Sequence, residues 1–144
     1  MKIPMRVDYG VRALVELALH YGEGSVQTAD IARNQEIPEA YLDQLLSTLN
    51  KYGFVASRRG PQGGHRLAMD PQEINLHMVM STLDGHLSPV DCLITPTDCV
   101  FSEFCAQQEV WKSVGEAVEE VLRNIKLSDL VQRQRVLATQ AVSV

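Results

Sequence analysis

A mainly α-helical chain with one small β-hairpin is the fold class predicted, and three observations predict it. Apolar residues recur at helical spacing in six stretches of the 144-residue sequence. One run rich in Gly and Arg, residues 58–66, stands between two short β patterns. At 45% hydrophobic content the chain can bury a real core, as one domain with an appendage or as two small lobes.

Val7, Val11, Leu14, Val15 and Ala18 make the stripe of an amphipathic helix over Met5 to Tyr21, which Gly22-Glu23-Gly24 ends. Thr28 is expected to cap a short second helix, through Ile31 and Ala32 to about Gln35. Ile37-Pro38-Glu39 starts a third, with proline in the first turn, that runs to Tyr52 and is closed by Gly53. Its apolar face is Leu42, Leu45, Leu46 and Leu49, and its other face offers Glu39, Ala40, Asp43, Gln44, Ser47 and Lys51. Short helices on a tight link, the second polar on its outer side, form a helix-turn-helix arrangement.

Phe54 to Ser57 and Leu67 to Met69 read as strands around a Gly/Pro turn. The tip is basic, with Arg58, Arg59, His65 and Arg66 among glycines that let backbone approach a phosphate closely. A hairpin placed directly after a helix-turn-helix is a wing, which reaches phosphates or the minor groove while a helix lies in the major groove. The alternative for the hairpin taken alone is a solvated turn with incidental arginines.

The net charge of -5 does not advertise a nucleic-acid partner, whose protein footprint is normally basic. The acidity is uneven, however: residues 1–70 carry eight Lys/Arg against eight Asp/Glu, and residues 71–144 five against ten. The acidic excess therefore lies wholly in the second half. No apolar run is long enough to span a membrane, and the cytoplasm is the expected location.

In that second half Ile74 to Leu83 reads as a helix stopped by Asp84-Gly85. Ala106 to Lys126 reads as a long helix whose Val110, Trp111, Val114, Val118, Val121, Leu122 and Ile125 lie close to a heptad seam, the pattern of a dimer or bundle. Ser128 is expected to cap a last helix from Asp129 to about Leu137, with a frayed tail from Ala138 to Val144. Three units follow: 1–84 the DNA-binding part, 85–105 a cysteine loop, and 106–144 the dimerisation and C-terminal helices.

All three cysteines, Cys92, Cys99 and Cys105, fall in that loop. An odd count without a signal peptide argues against a disulfide framework, leaving metal, cluster or redox chemistry. Structural zinc sites bring ligands in close pairs, and none is present here. Wider, even spacing suits a larger object such as an iron-sulfur cluster, whose thiolates come at varied intervals. The alternative is three ligand-free thiols in a surface loop, acting as a redox switch. Catalysis by a cysteine nucleophile needs a base and an orienting group, and His65, His77 and His86 sit in no recognisable motif, so an enzyme is not expected.

The run Ile37-Pro-Glu-Ala-Tyr-Leu-Asp-Gln-Leu-Leu, the wing Ser57-Arg-Arg-Gly-Pro-Gln-Gly-Gly-His-Arg-Leu, the three loop cysteines and the long helix together resemble the Rrf-two family of bacterial winged-helix regulators. The resemblance covers nearly the whole chain. It implies a homodimeric transcriptional regulator that binds double-stranded DNA at partly palindromic operators. It implies an iron-sulfur cluster on Cys92, Cys99 and Cys105, 4Fe-4S in preference to 2Fe-2S, that modulates DNA binding. By the same carry-over the DNA-contacting set is Tyr41, Asp43, Gln44, Ser47, Arg58, Arg59, His65 and Arg66. Gln44 would pair with adenine, Asp43 would accept from a cytosine amino group, and Arg59 would enter the minor groove. IscR-like members place a histidine three residues after the third cysteine, where this chain has Gln108. NsrR-like members take an acidic residue of the first helix as fourth ligand, and Asp8 matches that position. His86, Asp98, Glu103 and Glu109 are the other candidates nearby in sequence, and for Asp8 a helix-terminus charge is the alternative role. The CymR-like branch supplies the alternative function, a metal-free thiol or partner-binding regulator.

Overall fold

The computed structural model describes residues 2–85 and 87–142. Its element order is α1 (Met5–Leu19), α2 (Thr28–Gln35), α3 (Glu39–Lys51), β1 (Val55–Arg58), β2 (Gly64–Leu67), α4 (Leu76–Asp84), α5 (Ala106–Asn124) and α6 (Leu127–Val142). The architecture is the expected one, helices with a single antiparallel hairpin.

Helix α1 is the hub, packing on α2, α3, β2, α4 and α6. Its stripe, with Val7, Ala13, Leu14, Leu17 and Ala18 buried, joins Leu42, Leu45, Leu46 and Leu49 of α3, Val79, Met80 and Leu83 of α4, and Leu127 and Val131 of α6 in one core. Gly10 lets α4 come close, because a Cβ there would overlap Leu83 Cδ1. Among the described residues Glu16 is the one charged side chain in the buried set. Its carboxylate accepts from Asn34 Nδ2 at 2.7 Å and Gln35 Nε2 at 2.8 Å, so it joins α1 to the end of α2. A buried carboxylate is tolerated because both oxygens are hydrogen-bonded.

The hairpin pairs Val55 with Leu67, Ala56 with Arg66, Ser57 with His65 and Arg58 with Gly64. The strands thus end nearer the tip than the sequence pattern placed them. A further bridge joins Val26 to His65, with N–H···O distances of 2.8 and 2.7 Å. Gly64 (φ 137°) is required by that bridge, since a Cβ would strike the Val26 carbonyl at 2.6 Å.

Four local expectations are corrected. Gln27 rather than Thr28 precedes α2, and the Thr28 hydroxyl is bonded to His65 instead of a helix N–H. Ile74 is extended and fully buried, between a 3-10 turn at Pro71–Glu73 and α4, which starts only after Asn75 accepts from the Met78 N–H. Helix α6 starts at Leu127, not Asp129, because Asp129 Oδ2 reaches back to the Lys126 N–H, half of a capping box. The tail expected to fray from Ala138 is helical to Val142, and residues 143 and 144 lie outside the described residues.

The α1–α4 approach generates a test. Gly10→Ala raises helix propensity by about 1 kcal/mol but overpacks Leu83, which costs roughly 1–3 kcal/mol. A net loss is expected in urea denaturation, and Gly10→Ala should cost less in a Leu83→Ala background. Equal costs in both backgrounds would show that the helices do not approach this closely.

Candidate nucleic-acid interface and cysteine segment

Burial of the four leucines of α3 decides which face of that helix is free. Asp43, Gln44 and Ser47 are exposed on it. Tyr41 differs: it is half-buried, with its ring edge-on to Tyr9 of α1 at 5.7 Å and 78°, so it ties α3 to α1. Arg12 stands 5.5 Å over the same Tyr9 ring and donates to Asp8 Oδ1 at 3.2 Å.

Arg58, Arg59 and Arg66 are exposed on the wing, and among the described residues none of them enters an ion pair. The tip is held by its own backbone, with Gly63 N–H donating to Gly60 O at 2.9 Å. A side chain at Gly63 would collide with the Arg58 carbonyl, which explains glycine there. A cleft of about 610 Å³ runs between the start of α2 and the wing, lined by Thr28, Ala29, Arg58, Arg59 and His65 among others.

His65 is not a free cation at this tip. Burial pushes its pKa down from the ordinary histidine value, while the Asp43 carboxylate pulls the other way. Its Nδ1 lies 2.7 Å from Ser57 Oγ and its Nε2 2.8 Å from Thr28 Oγ1. From the sequence Thr28 reads only as a helix cap and Ser57 only as a strand end, so neither is expected as a partner of His65. The available signal was the hairpin register, which sets Ser57 directly opposite His65.

The cysteine segment contains two short 3-10 turns, Asp91–Leu93 and Pro96–Asp98, in place of a wholly irregular loop. Cys92 lies in the first, Cys99 follows the second, and Cys105 immediately precedes α5. All three are free thiols and partly exposed. Gln108 Nε2 lies 3.5 Å from the Cys92 carbonyl, bringing the first turn of α5 to the start of the segment.

Asp8 is exposed in the first turn of α1 and lines a cleft of about 490 Å³ with Lys2, Ile3, Pro4, Met5, Tyr9 and Arg12. Among the described residues no three His, Cys, Asp or Glu side chains are gathered as an ion site, so neither Asp8 nor Asp98, Glu103 or Glu109 joins the cysteines in that way. His86 lies outside the described residues. In kind the donors fit an iron-sulfur cluster: accessible, unpaired thiols on a turn-rich segment. The ligands of a cluster are spread over more than one iron, so they need not converge on one point as they do for a single ion.

Comparison with known proteins agrees with this geometry. Residues 3–133 match the family model Rrf2, described as an iron-dependent transcriptional regulator. The HTH-type transcriptional regulator IscR of Pectobacterium atrosepticum is 36% identical over 137 residues, 95% of this chain and 83% of the relative. The IscR of Serratia proteamaculans is 37% identical over the same length and shares. Among solved structures, CymR, the global cysteine regulator of B. subtilis, superposes with a TM-score of 0.80 at 34% identity, over 92% of this chain and 98% of that one. T. potens IscR gives 0.77 at 36% identity, over 93% and 88%. A family match over residues 3–133 and relatives 36% identical over 95% of the chain place the protein in the Rrf2 family of transcriptional regulators.

Proposed function

We propose that the protein is a homodimeric, DNA-binding regulator whose operator affinity is set by an iron-sulfur cluster on Cys92, Cys99 and Cys105. The observation that carries the DNA part is the free polar face of α3 beside a wing whose arginines have no intramolecular ion pair among the described residues. Gln44 can pair with an adenine edge, Asp43 can accept from cytosine, and Ser47 can bond either. Arg58, Arg59 and Arg66 neutralise phosphates, with Arg59 directed to the minor groove. The duplex lies on the first half of the chain, away from its acidic second half. The reading of α5 as the dimer helix is supported by its lack of any buried residue and by the exposure of Val110, Trp111, Val114 and Val121. A second copy would cover that stripe.

For the sensor, the cysteines would hold the cluster and Asp8 is the proposed fourth ligand, four irons being preferred to two. When bound, the cluster supplies an iron centre that exchanges ligands or electrons with a small-molecule signal. Asp8 Oδ1 is held by Arg12, which lies over the Tyr9 ring, and this leaves Oδ2 as the oxygen that would ligate. A second reading is a metal-free regulator of the CymR type. The likeness to CymR favours it.

Two experiments separate these readings. Fluorescence anisotropy on a selected duplex and a scrambled one, across salt concentrations, should show Arg59→Ala weakening both and lowering the salt slope by roughly one per protomer. Gln44→Ala should instead lose on the order of 1–3 kcal/mol of discrimination per half-site with the slope nearly unchanged. Variants indistinguishable from wild type on both duplexes would end the DNA assignment. In anaerobically purified protein, Cys92→Ala, Cys99→Ala and Cys105→Ala are each expected to lose iron and sulfide while circular dichroism and oligomeric state stay unchanged. Asp8→Ala should bleach faster in air than wild type. Iron-free wild-type protein that still binds its operator would favour the metal-free reading.

A further inference from the structure

The ring of His65 sits where three elements meet. Ser57 Oγ, which faces Nδ1, is also 3.3 Å from Asn50 Nδ2, at the end of α3. An amide nitrogen only donates, and a neutral imidazole donates from one nitrogen and accepts at the other. With Asn50 donating into Ser57, the serine O–H is free to donate to Nδ1. One tautomer that satisfies every one of these groups puts the ring proton on Nε2, which then donates to Thr28 Oγ1. The Thr28 O–H is left as a donor at the start of α2, in the cleft that Arg58 and Arg59 also line. The main chain adds to the tie, because the His65 N–H and C=O both pair with Val26.

We propose that His65 is a positioning residue for DNA binding: through the chain Asn50, Ser57, His65, Thr28 it clamps the wing to α2 and α3, so that Arg58, Arg59 and the Thr28 hydroxyl meet one stretch of phosphate backbone together. The role rests on the DNA-binding reading above and changes its content, since His65 acts through the wing and not on the duplex. A hairpin of four-residue strands is marginal by itself. Left to swing, it would have to be ordered on each encounter, and the affinity gained from its arginines would fall by that ordering cost. Both ring nitrogens are already engaged within the chain, which disfavours a direct base or phosphate contact.

The test is a double-mutant cycle between residues of different roles. The probe is a duplex selected from a randomised pool by the wild-type protein, and the readout is anisotropy against salt concentration. His65→Phe is expected to weaken binding roughly ten-fold and to lower the salt slope as far as Arg59→Ala does. The double variant should be little worse than either single one, because an unclamped wing has already lost the use of Arg59. His65→Gln, which keeps a donor and an acceptor, should recover most of the affinity. Cooperative urea unfolding of His65→Phe establishes that the helical core is intact. If that variant does not fold, Thr28→Val with Ser57→Ala removes both ring partners and carries the same expectation. Full wild-type affinity and slope in the ring or partner variants, or strictly additive losses with Arg59→Ala, would overturn the positioning role alone. A wild-type protein that selects no duplex would overturn the DNA reading, and this role with it.

Discussion

The rest of the molecule depends on how closely other elements can pack on α1. That helix lies against α2, α3, β2, α4 and α6, and its buried residues apart from Glu16 are small or branched, none of them aromatic. At Gly10 there is no side chain at all, and Leu83 fills the space. Close packing of this kind transmits position, because an interior at near-crystalline density does not deform smoothly. The free face of α3 is therefore set by what its leucines must bury against α1, and the orientation of the wing follows from a bridge beside the start of α2.

Charge divides the chain where packing does not, since α4 and α6 share one core with α1 and α3. The first half carries balanced charge, with wing arginines that protrude and have no acidic partner among the described residues. The second half holds the acidic excess. Overall acidity thus says little about what the wing can meet, because exposed charges act over about a Debye length, roughly 8 Å at physiological salt. The local field at the tip decides.

The cysteine segment contrasts with that packed core. Val100, Phe101 and Phe104 are among its exposed apolar residues, and its hydrogen bonds are short-range ones such as Ser102 Oγ to the Pro96 carbonyl at 2.7 Å. Apolar side chains left in water beside accessible thiols have not reached the burial that stabilises the core. Helix α5, which follows Cys105 directly, likewise has no buried residue despite its apolar stripe. The parts that the sequence reading assigned to sensing and pairing are therefore those that packing within one chain leaves incomplete.

By itself the sequence determined the element types, the leucine face of α3 and the Gly-rich basic tip. Each of these is a local matter of periodicity, of steric permission at glycine, or of charge carried on adjacent residues. Of two misread caps, one was lost to a distant partner and one to a local competition. Thr28 reads as a cap until a histidine thirty-seven positions later claims its hydroxyl, and Asp129 reads as a helix start until it reaches back to the Lys126 N–H. Only the tertiary structure decided that His65 is a tie rather than a cation, that Tyr41 braces α3 on Tyr9, and that Glu16 joins α1 to α2. Those roles come from partners distant in sequence, whose hydrogen bonds and ring contacts exist only after the core has brought their backbones together.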